Sequence, residues 1–322
     1  MPSLDELNAS FAIPGILVFD EPHPGLPRAL VTTPACTAEL YLHGAHLTAW
    51  HPTAPEANGK PAQPVIFLSP NSLLQPGKPI RGGIPVIFPW FGARTTEITG
   101  HRTSGSQHGF ARTQEWQLAF AAQSGDTLRL TLTLGPSEES RAAGFDGFRV
   151  ALEFTLGATL TLRMTVANES AEPLVYEQAL HTYFHVGDPT QLRIHGLANT
   201  EFLDKTENFA RKTQHEDPLT LCAQTDRPYL NTTATVTLED PALGRCIVVA
   251  KSGSATTVVW NPWEKLSASL PDLGAGQWRH FTCVETANAG EDRITLAPHS
   301  AHVMEARISR EPFSPGPGGT LA

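Results

Sequence analysis

The clearest pattern along the chain is strict alternation of apolar and polar positions. Leu128, Leu130, Leu132 and Leu134 alternate with Arg129, Thr131 and Thr133. Leu152, Phe154 and Leu156 alternate with Glu153 and Thr155, and Leu160, Leu162, Met164 and Val166 alternate with Thr161, Arg163 and Thr165. Successive side chains of a strand point to opposite faces, so each run predicts a strand with one apolar and one polar face. Gly157-Ala158-Thr159 reads as a short hairpin connection between the last two. Such strands fit antiparallel sheets covered on one side. Further strands are predicted at 38–42, 65–68, 174–186, 233–238, 246–250, 256–260, 279–286 and 301–308. Helical periodicity is hard to find, and 26 glycines and 27 prolines punctuate the chain at strand-like intervals. The expectation is all-β: a large antiparallel β-sandwich forming one domain over residues 15–310. Residues 1–14 read as a loosely attached lead-in and 311–322 as a flexible tail. Residues 51–64, with four prolines and Asn58-Gly59, read as an exposed loop.

Composition narrows the partners. With 322 residues, 40% apolar and 17% charged, the chain is an ordinary globular protein with ample core. A net charge of −9 disfavours nucleic acid as the default partner, yet leaves room for a locally positive site that takes a phosphorylated small molecule. No apolar run is long enough to span a membrane, and the start lacks a basic region followed by an apolar one. Cys36, Cys222, Cys246 and Cys283 form no C-x-x-C pair, so neither a zinc knuckle nor a redox motif is readable. A cytoplasmic protein with reduced thiols is expected. Nothing demands an oligomer, and a monomer is expected.

Chemistry concentrates between Arg81 and Arg112. The stretch opens Arg81-Gly82-Gly83-Ile84-Pro85 and Phe88-Pro89-Trp90-Phe91-Gly92, and closes Gln107-His108-Gly109-Phe110-Ala111-Arg112. Glycine lets a backbone approach a ligand, arginine offers a planar fork for phosphate or carboxylate, and histidine moves protons near neutral pH. Taken as fragments, they are equally a Gly/Pro-rich loop with one core histidine.

His181-Thr182-Tyr183-Phe184-His185 has the spacing of a helical zinc pair. Its Tyr, Phe and Val neighbours favour a strand, where residues i and i+4 lie about 13 Å apart, too far for one metal. That leaves one histidine facing a cleft, or a strand histidine satisfied by a backbone carbonyl. In Trp278 to Asn288, Glu285 would share a strand face with Cys283 and Phe281. A carboxylate among apolar neighbours has a raised pKa and suits a general base; a Glu285 at the strand end in water would not. Trp260-Asn261-Pro262-Trp263 could stack on a sugar or plug a core, and Asp204 could hold a sugar hydroxyl or cap a turn.

Together, Arg-Gly-Gly-Ile-Pro, Phe-Pro-Trp-Phe-Gly, Gln-His-Gly-Phe-Ala-Arg, His-Thr-Tyr-Phe, Trp-Asn-Pro-Trp and Cys-Val-Glu resemble the hexose-6-phosphate mutarotases (glucose-6-phosphate 1-epimerases), a branch of the aldose 1-epimerase group. The ordered motifs span about residues 15–308. The resemblance implies a galactose mutarotase-like supersandwich, with His181 as general acid and Glu285 as general base. It implies substrate-binding roles for Arg81, Gln107, His108, Arg112 and Asp204, the two arginines at the sugar phosphate. His185 departs from the family pattern, and its role is open.

Mutarotation needs one group to take the C1 hydroxyl proton while another protonates the ring oxygen, roles that exchange on reversal. A carboxylate at Glu285 and an imidazolium at His181 would serve. No metal or redox cofactor is required by this chemistry. Three rivals stand beside it. They are a free-hexose epimerase with structural arginines, a non-catalytic carbohydrate-binding sandwich, and a glycoside hydrolase or lyase, which would need a second carboxylate beside Glu285.

Overall fold

The computed structural model describes residues 2–54, 63–94 and 106–313. Two large antiparallel sheets dominate it. One has nine strands, in the order Leu219–Thr220, Arg193–His195, Val236–Asp240, Arg245–Ser252, Ala301–Pro312, Thr159–Asn168, Phe148–Leu156, Thr127–Leu134 and Gln117–Ser124. The three alternating runs of the sequence are its Thr127–Leu134, Phe148–Leu156 and Thr159–Asn168 strands. The leucines, valines, phenylalanines and methionine of these strands are buried, and the polar residues that alternate with them are partly or wholly exposed. Register follows from this alternation, because a slip by one residue would turn every leucine to solvent. Leu130 faces Phe154, and Phe154 faces Leu162.

The second sheet orders Ala210–Thr213, Glu201–Asp204, Thr225–Tyr229, Thr256–Asn261, Phe281–Asn288, Gln178–Leu180 and Val86–Ile87, with Tyr183–His185 also paired to Phe281–Asn288. A four-stranded sheet of Leu17–His23, Leu26–Thr32, Cys36–Tyr41 and His46–Pro52 closes one side. One large apolar core joins the three, drawing Leu132 and Phe154 from the first sheet, Val259 and Val284 from the second, and Leu40 and Trp50 from the third.

Several expectations change. Residues 1–14 were expected to be loose. Instead Leu4–Phe11 is a helix with a Ser3/Glu6 capping box; Leu7 is buried in the main core, and the Asn8 side chain bonds both backbone groups of Phe19. The single strand expected over 174–186 is three short ones, Leu174–Tyr176, Gln178–Leu180 and Tyr183–His185. Two other short helices, Glu138–Ala142 and Trp263–Ser269, interrupt the β pattern. The last strand runs to Pro312, past the expected limit at 310. Most of the proline-rich loop and the tail beyond Phe313 lie outside the described residues.

Candidate active site

Every residue of Phe281–Asn288 is buried, because the strand lies in the middle of its sheet with both faces covered. Glu285 pairs across to Val258. One small apolar cluster on its flank contains Phe67, Tyr183, Phe281 and Cys283, and another contains Ile87, Ala179, Val258 and Ala287. The carboxyl is 1% exposed. Burial, reinforced by the Asp226 carboxylate and opposed by Lys205, pushes its pKa well above the usual range. The water-exposed reading of Glu285 is excluded.

His181 meets it through a break in the sheet. Leu180 stands opposite Thr286 and Tyr183 opposite Cys283, so the register carried through the gap sets His181 opposite Glu285. There the ladder opens: the His181 N–H donates to the Pro85 carbonyl and the Tyr183 N–H to the Gly83 carbonyl. His181 Nε2 lies 3.3 Å from Glu285 Oε1. Its ring stacks on Tyr183, with centroids 4.9 Å apart, and meets the rings of His108 and Trp260 edge-on at 5.6 and 5.8 Å. Burial, then the positive charges of Arg112 and Arg81, hold its pKa well below the ordinary imidazole value.

These shifts correct the expected ion pair. Burial penalises both charged forms and the arginines oppose an imidazolium, so both shifts run against a charged pair. Among the described residues His181 Nδ1, Glu285 Oε2 and Arg112 Nε are buried without a hydrogen-bond partner. Each such orphan costs about 1–3 kcal/mol.

The two arginines differ. Arg81 Nε and Nη2 both lie 3.0 Å from Asp272 Oδ2, and Nη1 donates to the Tyr183 hydroxyl at 3.2 Å. Its charge is already balanced. Arg112 donates from Nη2 to the Gln107 carbonyl at 2.7 Å, and no carboxylate pairs with it among the described residues. Desolvation pushes its pKa down to about 10.

His108 and Gly109 both adopt left-handed backbone, φ 68° and 70°. A Cβ on Gly109 would stand 2.0 Å from the Phe88 carbonyl oxygen, so glycine is required for this close approach. His108 Nδ1 accepts from the Gly92 N–H at 3.1 Å. Desolvation and then His181 depress its pKa, so the ring is neutral with its proton on Nε2. Gln107 is exposed and lines a cavity of about 530 Å3, with Phe91, Glu177, Leu203, Lys205 and Phe209 in its wall. His181 and Glu285 are not part of its wall, but Lys205 is, and its charge acts on both.

Asp204 takes the second of its two readings. Its Oδ1 accepts from the Thr206 N–H and hydroxyl, capping a short turn, and its Oδ2 lies 3.2 Å from Lys212 Nζ. Trp260 packs against His181, whereas Trp263 stacks on Trp278 away from the pair. Asn261 spends its side chain on the Trp278 and Phe281 carbonyls. His185 Nδ1 has no hydrogen-bond partner, and burial lowers its pKa to about 4.

The profile of the family described as aldose 1-epimerase matches residues 28–309. The chain belongs to the aldose 1-epimerase family. It is 32% identical over 290 residues to a protein of Cenchrus ciliaris that carries the provisional name glucose-6-phosphate 1-epimerase, covering 87% of this chain and 83% of that one. A protein of Escherichia coli K12 with the same provisional name is 33% identical over 281 residues, covering 87% and 90%. The crystal structure of Salmonella typhimurium YeaD, described provisionally as a mutarotase, superposes with a TM-score of 0.83 at 27% identity, covering 94% of this chain and 96% of that one.

Sequence reasoning missed three residues at the site of this epimerase. Asp226 pairs across to Trp260, and Trp260 to Cys283, which puts it on the Glu285 face. Lys205 Nζ lies 3.0 Å from its Oδ2. Asp226 was hidden because Pro228, two residues on, argues against a strand interior. Lys205 and Asp272 meet their partners only through tertiary contact, and no local spacing marks them. Asp226 is also the second carboxylate that a hydrolase reading lacked, but it is committed to Lys205. Among the described residues no group of three metal-ligating side chains comes together, and no helix is long and apolar enough to cross a membrane.

Proposed function

We propose that the protein interconverts the α and β anomers of an aldohexose 6-phosphate, with glucose 6-phosphate the leading substrate. The observation that carries this reading is the buried His181–Glu285 pair, 3.3 Å apart, with the charge of Arg112, which has no carboxylate in ion-pair contact among the described residues, acting on His181. One member of the pair takes the C1 hydroxyl proton while the other protonates the ring oxygen, the C1–O5 bond opens, and the aldehyde turns before closing on its other face. Each acid or base contributes about 10²–10⁴-fold.

The phosphate fits into the same electrostatics. Arg112 and Arg81 are among the groups that hold His181 neutral. A phosphate bound at Arg112 cancels much of that repulsion, so the proton moves from Glu285 towards His181. Substrate binding thereby sets Glu285 up as base and His181 as acid. His108 donates from Nε2 to a sugar hydroxyl, and Gln107 lies at the rim. Arg81 acts mainly through Tyr183, on which His181 stacks. The reaction takes place in one chain, in the cytoplasm, with no cofactor.

A free-hexose epimerase is the second reading, and the Arg81–Asp272 pair favours it, since one of the two arginines is already neutralised. Anomer exchange followed by NMR near neutral pH, with glucose 6-phosphate and free galactose in parallel, separates them. Acceleration of glucose 6-phosphate alone is the expected result. Equal acceleration of galactose would transfer the function to the second reading, and no acceleration of either would overturn both.

A further inference from the structure

We propose that Glu177 is a positioning residue of the active site: it fixes the backbone that dictates which nitrogen of His108 carries the proton. The proposal rests on the reading above in treating His108 as a substrate contact. Glu177 is 5% exposed, with the positive charge of Arg293 acting on it. Each of its two oxygens accepts from a backbone N–H. Oε2 accepts from the Phe91 N–H at 2.7 Å, and Oε1 from the Gly290 N–H at 2.6 Å. Its own N–H donates to the Pro89 carbonyl. Pro89 and Phe91 are thus tied to one residue.

The next peptide of that segment makes the connection. The Gly92 N–H donates to His108 Nδ1, the Gly92 carbonyl accepts from the His108 N–H at 2.7 Å, and the Phe91 ring meets the His108 ring edge-on at 5.0 Å. An N–H aimed at Nδ1 makes that nitrogen an acceptor, so a neutral His108 must carry its proton on Nε2. His108 can then donate to a substrate oxygen but cannot remove a proton from it. His181, Arg112, Lys205 and Arg81 are the charged or titratable groups around the ring, and each opposes a second proton there. If the Phe91–Gly92 peptide turned, Nδ1 would lose its donor and both tautomers would be open to the ring.

The arrangement needs a carboxylate. Two convergent N–H donors require two acceptor atoms; glutamine offers one oxygen and would set its NH2 against the other N–H. Glu177 also ties Phe91 and Gly290, which stand in the wall of the same cavity.

The test is nitrogen-15 NMR of the full-length, histidine-labelled protein, with anomer-exchange kinetics on glucose 6-phosphate. In the unaltered protein His108 should show a bare Nδ1 and a protonated Nε2; a proton on Nδ1 would overturn the proposal before any variant is made. Glu177→Gln should give a mixture of tautomers and lower kcat/KM about 10–100-fold, chiefly in kcat. On a His108→Ala background the same change should cost less than about threefold, because the two act through one contact. Full multiplication of the two losses, or a Glu177→Gln variant with His108 still wholly Nε2-protonated, would defeat it. If Glu177→Gln does not fold, Glu177→Asp, which keeps the charge but shortens the reach, is expected to show the same tautomer mixture. The tautomer readout stands even if no sugar exchange is accelerated, so failure of the proposed function and failure of this inference give different results.

Discussion

Alternate positions of one strand do opposite work. In Phe281–Asn288, Val284 turns to the core shared by the three sheets, where it meets neighbours such as Val259. Phe281, Cys283, Glu285 and Ala287 turn the other way, where the apolar packing is split into two small clusters on either side of Glu285. Both faces are equally dry. One uses dryness to hold the sheets together, and the other uses it to push the Glu285 carboxyl pKa up and the His181 imidazole pKa down. A buried face becomes an active site when polar atoms left unpartnered, here Glu285 Oε2 and His181 Nδ1, are brought together on it.

The largest expected separation between the two faces is catalytic. Glu285→Gln keeps the shape of the side chain and removes its proton transfer. Anomer exchange of glucose 6-phosphate should fall about 10²–10⁴-fold, with a melting temperature no lower than that of the unaltered protein. Removing a buried titratable group that lacks a full set of partners relieves a cost. A variant that keeps most of its rate, or one that unfolds, would erase the distinction between the faces.

Next comes the division between the arginines. Arg112→Met removes a charge with no carboxylate in ion-pair contact among the described residues, Asp272 acting on it only from a distance. A hydrogen bond to a charged group contributes about 1.5–3 kcal/mol, so kcat/KM for the phosphorylated sugar should fall about 10–150-fold, with free hexose nearly unaffected. Arg81→Met breaks the contacts to Asp272 and Tyr183 and should slow both sugars alike. The measurement is kcat/KM on the two sugars side by side, and a reversed order of selectivity would assign the phosphate to Arg81.

On the core face, Val284→Ala should cost about 1–3 kcal/mol in urea unfolding, the range for a small aliphatic truncation in a packed interior, while kcat per folded molecule holds. A large loss of kcat at unchanged stability would mean that the two faces are mechanically coupled.

This contrast also explains what the sequence could reveal. The strands Thr127–Leu134 and Thr159–Asn168 were legible because one face is dry and the other wet, which writes a period of two into the side chains. Phe281–Asn288 is dry on both faces and shows no such period; it is legible as a strand only by its residue types. His181 and Glu285 were found through their motifs. Their pairing rests on register across a gap in the ladder, which neither motif contains. Leu4–Phe11 was legible after all, since Ser3 and Glu6 stand at capping-box spacing. Asp226, Lys205 and Asp272 carried no local signal, because their roles come from partners distant in sequence.

The smallest effect separates a structural histidine from the one paired with Glu285. His46 is fully buried, and its Nε2 lies 2.8 Å from the Gly82 carbonyl, in the segment that carries Arg81. Burial pushes its pKa down to about 3, against about 6.5 in an unfolded chain. Between those values the unfolded chain binds a proton that the folded one refuses. Stability from His46 is therefore present in full above about pH 6.5 and is lost as pH falls towards 3, by up to about 1.4 kcal/mol per pH unit. His46→Gln can keep a donor to the Gly82 carbonyl without the titration. Its urea-derived stability should fall less steeply between about pH 6 and pH 4, by about 1 kcal/mol per unit. Parallel slopes in the two proteins would mean that His46 protonates without unfolding, and that the acid sensitivity of the fold lies in the carboxyl groups instead.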